Sequence, residues 1–352
     1  MKKELLMGTA LVSTLGAASV AEAVTATMSG NHQTGMEFDS PNGGTDTNAQ
    51  INDNNFTVSL SETTDGGMTI SSSFSIVNES TASSSVGTAD MDAGFTLAFT
   101  DGSKLDVLNA GNASGSHDIS IPGSAGAESV TTATTNAAVT GLDFATGASV
   151  QGIEYHTAAD FLADGLKMSF SASTDSGSAA VATYRTDGHV AIGATYVTDL
   201  GDSAVTIGAG WSEVDGSKTG VAPSNDTGGF HVGLSAVTGD LTVAVGIADA
   251  TAAGVNITSA DEAEYEVMKA GVKYVSGDLT FNVGIASGDA KDAAVGSSGT
   301  TDDSIDSTSA SVSYAVASGV TAILGYTSVE ASDEGASSTD GSAWYIGANM
   351  AF

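Results

Sequence analysis

Leu279-Thr280-Phe281-Asn282-Val283-Gly284-Ile285-Ala286 decides the fold, because it alternates residue by residue between two unlike faces. In a strand, side chains point alternately to opposite sides, so Leu279, Phe281, Val283 and Ile285 share one face and Thr280, Asn282, Gly284 and Ala286 the other. One face suits lipid and the other water. The same division recurs in Leu241, Val243, Val245 and Ile247 against Thr242, Ala244 and Gly246, and in Met68, Ile70 and Phe74 against Thr69, Ser71, Ser73 and Ser75. The polar faces carry very small side chains, whereas the inner face of a soluble sandwich needs larger ones to pack its core.

Outward from that stretch, strand-like segments are joined alternately by very short and by longer polar connections. The short ones are Asp65-Gly66-Gly67, Asp101-Gly102-Ser103, Asp164-Gly165, Asp199-Leu200-Gly201-Asp202, Gly239-Asp240, Gly277-Asp278 and Ser318-Gly319. Gly and Asp supply the positive φ angles that tight hairpins need. The long ones fall at 39–53, 79–89, 112–149, 174–188, 215–228, 251–263, 290–305 and 332–340. Seven tight turns and eight long loops join sixteen strands, an even number with both chain ends at one rim, as a bacterial transmembrane barrel requires. In hydrocarbon every backbone donor and acceptor must be satisfied within the protein, so the sheet has to close. The expected fold is all-β, a 16-stranded antiparallel transmembrane β-barrel. A β-solenoid is the competing architecture for a chain rich in Gly, Asp and Thr, but no fixed-length repeat is visible.

The N-terminus reads as an export signal. Met1-Lys2-Lys3 is basic, the run from Leu5 to Val20 is apolar, and Ala21-Glu22-Ala23 matches a small-residue cleavage site. Residues 1–23 are therefore expected to be a cleaved signal peptide, and residues 24–352 a single barrel domain. Cysteine is absent, so neither disulfides nor thiolate metal sites are expected to hold the chain together.

With 42 acidic and 9 basic residues, the formal net charge is −33. Phosphate binding needs basic residues to displace counterions, so nucleic acid is excluded as a partner. The five histidines His32, His117, His156, His189 and His231 show no metalloprotease spacing, and there is neither a nucleophile elbow nor a phosphate-cradling glycine loop. The chain is read as not an enzyme, with no cofactor. Acidic clusters such as Asp302-Asp303, Asp261-Glu262 and Asp46 to Asp53 allow at most weak Ca²⁺ binding, since none has the twelve-residue calcium-loop spacing.

The final segment alternates outward Trp344, Ile346, Ala348, Met350 and Phe352 with inward Tyr345, Gly347 and Asn349. It looks like the C-terminal assembly signal of outer-membrane barrels, with Trp344, Ile346, Met350 and Phe352 as its key residues. Together with the signal peptide, the start at Val24-Thr25-Ala26-Thr27-Met28-Ser29-Gly30, the sixteen strands and the long third loop, the chain resembles the general diffusion porins of alphaproteobacteria. That resemblance implies a homotrimer in the outer membrane of a Gram-negative bacterium, in contact with lipid and lipopolysaccharide and folded by the barrel-assembly machinery. It also implies that the third loop folds into the lumen and narrows it, which makes 112–149 the candidate constriction loop. The loop's own composition agrees, because Ile119, Ile121, Val130, Val139, Leu142 and Phe144 would be wasted in solvent.

Selectivity in a wet pore comes from its radius and from the charges at its narrowest point. The candidates are Asp118, Glu128 and Asp143 on the loop, with His117 beside them. Alternation places Lys104, Asp106, Glu154, His156, Lys167, Lys269 and Lys273 on the lumen face of the wall. The porin pattern sets a cluster of wall arginines against loop carboxylates, but Arg185 is the only arginine here. The expected function is passive diffusion of small hydrophilic solutes and ions, with a preference for cations, through a lumen whose small Ser, Thr and Gly side chains leave room for water. The rival reading is an acidic structural or adhesive surface protein without significant transport. Tyr196, Trp211, Tyr274, Tyr314, Tyr326 and Trp344 fall on the apolar faces near strand ends, where an interfacial aromatic girdle is expected.

Overall fold

The computed structural model describes residues 24–41, 46–81, 84–90, 94–108, 112–125, 152–173, 185–217, 227–253, 262–292, 301–332 and 339–352. The strands are β1 (Thr25–Pro41), β2 (Thr47–Thr63), β3 (Thr69–Thr81), β4 (Ser84–Asp90), β5 (Phe95–Ala98), β6 (Lys104–Val107), β7 (Gly152–His156), β8 (Leu166–Ser173) and β9 (Arg185–Leu200). They continue with β10 (Ser203–Ser217), β11 (Thr227–Thr238), β12 (Leu241–Ala253), β13 (Glu262–Ser276), β14 (Leu279–Asp292), β15 (Thr301–Ala317), β16 (Val320–Ser332) and β17 (Thr339–Ala351). Both β4 and β5 pair with β3, at its two ends, so they are pieces of one wall strand. The wall therefore has sixteen strands, all antiparallel, and β1 closes it by pairing with β17 as well as with β2.

Closure extends to the last residue: Phe352 N–H donates to the Gly30 carbonyl and Gly30 N–H to the Phe352 carbonyl, each at 3.0 Å. Trp344, Ile346, Met350 and Phe352 all face outward, and Trp344 packs on Tyr326 of the adjacent strand with ring centroids 4.5 Å apart. The alternation read from the sequence is the alternation of the wall: Val283 is 51 % exposed on the outside while its neighbour Asn282 is 9 % exposed on the inside. So large a contiguous apolar surface is what a lipid-facing band presents.

A glycine with positive φ stands at each of the seven short connections: Gly67, Gly102, Gly165, Gly201, Gly239, Gly277 and Gly319. The connection ending at Gly165 is longer than expected, however, since β7 stops at His156 and β8 begins at Leu166. Seven of the eight connections on the other rim are shorter than read from the sequence, while the third, between β6 and β7, spans 108–151 where 112–149 is expected. β1 runs to Pro41 and β2 starts at Thr47, and β14 runs to Asp292 before β15 starts at Thr301. Beyond the hydrocarbon layer a strand keeps its backbone pairing without any need for apolar alternation, so polar sequence was mistaken for loop. Arg185, which falls within the connection read at 174–188, is the first residue of β9.

Inside the lumen, Tyr345 is fully buried against the wall with Ile51 and Ile323. Its hydroxyl donates to the Thr34 carbonyl at 3.2 Å, and its ring lies where any Cβ at Gly35 or Gly347 would collide with it.

Gly239 has φ +56° and nothing within 4 Å of the place a Cβ would occupy, so substitution there tests the backbone alone. Gly239→Ala is expected to cost about 1 kcal/mol in a urea titration of the lipid-refolded barrel, the scale of a left-handed L-residue.

Candidate functional site: the lumen and its inward loop

The described part of the third long connection enters the barrel and lies along the inner wall. After a 3-10 turn at Gly115–His117 it runs extended to Ala125. Ala113 N–H donates to Ser171 Oγ on β8 (3.0 Å), Ser124 N–H to Ser309 Oγ (3.1 Å) and Ala125 N–H to Ser311 Oγ (3.0 Å), both serines on β15. From β8 to β15 there are seven strand-to-strand steps, or ~34 Å at ~4.8 Å each. The run from Ala113 to Ala125 reaches at most ~43 Å when fully extended, so little slack remains.

The wall makes room for this crossing by omitting side chains. A Cβ at Gly193 would strike the Ala113 carbonyl, at Gly208 the His117 carbonyl, at Gly210 Ser114, at Gly233 Ile119, and at Gly271 or Gly284 the Pro122 carbonyl. These glycines are joined by register, with Gly193 opposite Gly210, Gly208 opposite Gly233, and Gly271 opposite Gly284. They form a track of bare backbone in which the loop beds. The small inward residues on this side of the barrel thus accommodate polypeptide, where the sequence reading assigned them to water.

Polar side chains fix the loop on the track. His117 is buried, with Nδ1 hydrogen-bonded to Thr195 Oγ1 (2.6 Å) and Nε2 to Ser169 Oγ (2.8 Å). Ser116 Oγ donates to Glu154 Oε1 at 2.7 Å. His231 on β11 is also buried, and its Nε2–H donates to the Ser114 carbonyl at 2.9 Å, with Nδ1 3.8 Å from Asp118 Oδ1. Burial, reinforced by the neighbouring His156 ring, the Lys167 ammonium and the His231 ring, holds the loop imidazole of His117 down at about 4 from its ordinary 6.5. It is therefore neutral at pH 7.

The sequence-derived site residues separate into groups. Asp106, Glu154 and His156 come together, buried in the wall on β6 and β7, with His156 Nε2 2.9 Å from Asp106 Oδ2 and 3.4 Å from Glu154 Oε1. Lys104 Nζ lies 3.3 Å from Asp106 Oδ2. Lys167 and Lys273 are on the lumen face and exposed, while Lys269 is half-buried with Asp118 as a charged neighbour. Asp118 itself is exposed to the lumen. Glu128 and Asp143 lie outside the described residues. Sequence reasoning gave no lumen role to Ser114, Ser116, Ser169, Ser171 or His231; inward parity on β8 could have marked Ser169 and Ser171, and the place of His231 between outward Phe230 and Val232 on β11 could have marked it.

A closed sixteen-stranded wall with a loop bedded in its lumen is the architecture of a channel, and residues 8–334 match the family model described as Gram-negative porin. The chain belongs to the Gram-negative porin family. No curated relative matches this porin's sequence. Among solved structures it is similar to the anion-selective porin from Comamonas acidovorans, at 11 % identity and a TM-score of 0.63 over 94 % of this chain and 100 % of that one. It is also similar to the trimer form of in-vitro-folded OmpT from Vibrio cholerae, at 14 % identity and 0.58 over 94 % and 100 %. A third likeness is to a Rh. blastica porin mutant, at 13 % identity and 0.55 over 93 % and 100 %. At these identities the likeness is one of fold. Family and fold together point to an outer-membrane channel.

Two outcomes follow for this porin. Gly271→Ala places a methyl against the Pro122 carbonyl and pushes the loop toward the lumen axis. It should lower single-channel conductance while the barrel still folds, with an overpacking cost of ~1–3 kcal/mol in urea. For His117, the folded protein disfavours the charged ring, so the loop's anchorage is complete above about pH 6.5 and is lost as pH falls toward about 4. Open-channel current noise should rise across that window, and less so in His117→Gln.

Proposed function

We propose that this porin is a passive diffusion channel for small hydrophilic solutes and ions, with a preference for cations. The observation that carries the reading is the course of loop residues 112–125, bedded on the glycine track along the inner wall of a closed barrel. The formal charge of −33 supports cation preference, because a negatively charged mouth raises the local concentration of cations and repels anions. Lysines do face the lumen, but Lys269 has Asp118 beside it and Lys104 has Asp106, so part of their charge is offset locally. The anion selectivity of the Comamonas protein belongs to that protein; fold likeness at 11 % identity does not carry charge placement.

The proposal includes export by the signal peptide at residues 1–23, folding by the barrel-assembly machinery through the Trp344 to Phe352 signal, and residence among outer-membrane lipid and lipopolysaccharide. The general diffusion type, as in alphaproteobacteria, fits the scarcity of inward aromatic residues in the sequence. Any calcium binding is weak and confined to the acidic loops. A homotrimer is supported by the trimeric form among the similar structures and by one feature of this wall. β6 and β7 have 4 and 5 residues, whereas a strand that crosses the hydrocarbon layer needs ~9–11. Yet Ile153 and Tyr155 on the outside of β7 are exposed and apolar. A neighbouring copy covers such a low wall better than lipid does.

In a planar bilayer under a KCl gradient, the refolded mature protein should insert in conductance steps grouped by three with a cation-favouring reversal potential. That preference should shrink in 1 M salt, where the screening length falls from ~10 Å at 0.1 M to ~3 Å. A correctly folded barrel that carries no current would leave the structural or adhesive reading in its place.

A further inference from the structure

Asp106 on β6 stands directly opposite Glu154 on β7, and His156 lies two residues further along the same inward face. All three side chains are buried, and their ligand atoms lie within 4.8 Å of one another. Two carboxylate oxygens converge on a single ring nitrogen, His156 Nε2, which carries at most one proton and so satisfies only one of them. Asp106 has further partners, the Thr96 hydroxyl and Lys104, while Glu154 receives the Ser116 hydroxyl. Two buried carboxylates with one lysine on one of them is an arrangement that a divalent cation completes.

The spacing fits such an ion. Donors each ~2.1 Å from a first-row metal stand ~3.0 Å apart at right angles and ~3.4 Å apart at tetrahedral angles. The nitrogen-to-oxygen separations here are 2.9 and 3.4 Å. An imidazole beside two carboxylates favours zinc-like ions over calcium, which takes oxygen ligands alone and more of them. Asp106 and His156 keep 11 % and 10 % of their side-chain surface exposed, so water and ions reach the cluster.

A second, independent feature is the support behind the imidazole. His156 Nδ1 is hydrogen-bonded to Ser169 Oγ (2.7 Å), Ser169 Oγ to His117 Nε2 (2.8 Å), and His117 Nδ1 to Thr195 Oγ1 (2.6 Å). A ligating histidine is held in this way through its other nitrogen. The chain can be satisfied in either direction. With Thr195 donating into it, each group donates to the next and Nε2–H of His156 points at Asp106. Reversed, His156 Nδ1–H donates to Ser169, Ser169 to His117 Nε2, and His117 Nδ1–H to Thr195. The proton count is unchanged, and Nε2 is left with a bare lone pair facing the two carboxylates.

We propose that Asp106, Glu154 and His156 form a binding site for a zinc-like divalent transition-metal ion in the barrel wall beside the inward loop. Because Ser116 and His117 of the loop contact Glu154 and Ser169, an ion there also fixes the loop to the wall. The site is independent of the diffusion reading, and its test does not use conductance.

The full mature chain, refolded in detergent and stripped with a chelator, is titrated with Co²⁺ and followed by visible absorption. One Co²⁺ per chain should produce intensified d–d bands, displaced by Zn²⁺ and not by an equal concentration of Ca²⁺. Glu154→Gln and His156→Gln should each weaken binding at least tenfold, with folding of each variant checked by heat-modifiable gel mobility. If a variant does not fold, imidazole ¹⁵N spectra of the wild-type barrel replace it. Zn²⁺ should then shift His156 and, through the chain, His117. A folded wild-type barrel that leaves the spectrum of hydrated Co²⁺ unchanged would overturn the proposal. So would wild-type affinity in His156→Gln, or Zn²⁺ shifts that spare both histidines.

Discussion

Everything in this molecule depends on the cost of an unpaired backbone group in hydrocarbon. A peptide N–H or C=O without a partner there is worth several kcal/mol of destabilisation, and a sheet avoids it along its whole length only by having no edge. The pairing of β1 with β17, carried to the reciprocal bonds between Gly30 and Phe352, is that requirement met at the seam. Closure in turn fixes the rest. It forces an outside of apolar residues and an inside of polar ones, places both termini at one rim, and leaves a lumen too wide for its own small side chains to fill.

The inward loop answers that last consequence. It is packed much as a strand is packed on a sheet, but through side chains and carbonyls bearing on a bare backbone floor, with Ser171, Thr195, His231, Ser309 and Ser311 taking up its polar groups. Two kinds of histidine serve here. His117 belongs to the loop and reaches out to the wall, while His231 belongs to the wall and reaches in to a loop carbonyl. Where the porin pattern has a cluster of wall arginines, this side carries lysines and buried histidines.

The fold was legible in the sequence because lipid imposes its rule one residue at a time: Phe281 and Val283 must face out and Asn282 in, whatever the rest of the chain does. Hairpin glycines were legible for the same reason, being demands of local backbone geometry. Loop lengths were not. Above the membrane a strand such as β14 continues through Ala290 and Asp292 by backbone pairing, which leaves no mark on side-chain pattern. The candidate site was half legible. Parity placed Asp106, Glu154 and His156 inside, but their convergence depends on the register between β6 and β7, a non-local quantity. The meeting of His117 with Ser169 and Thr195 depends on where a loop crosses a wall distant in sequence, and no periodicity encodes that.

The glycine track has a consequence for how such a channel can change. Its aperture is set by absences, and glycine is the smallest residue available, so at Gly193, Gly208, Gly233 or Gly271 mutation has only one steric direction open to it. Nearly every substitution there crowds the loop and constricts the passage, and none can deepen the groove. Widening has to come from the loop's own sequence. The wall is thus a nearly frozen mould, and variation in permeability among descendants of this chain should accumulate in the casting.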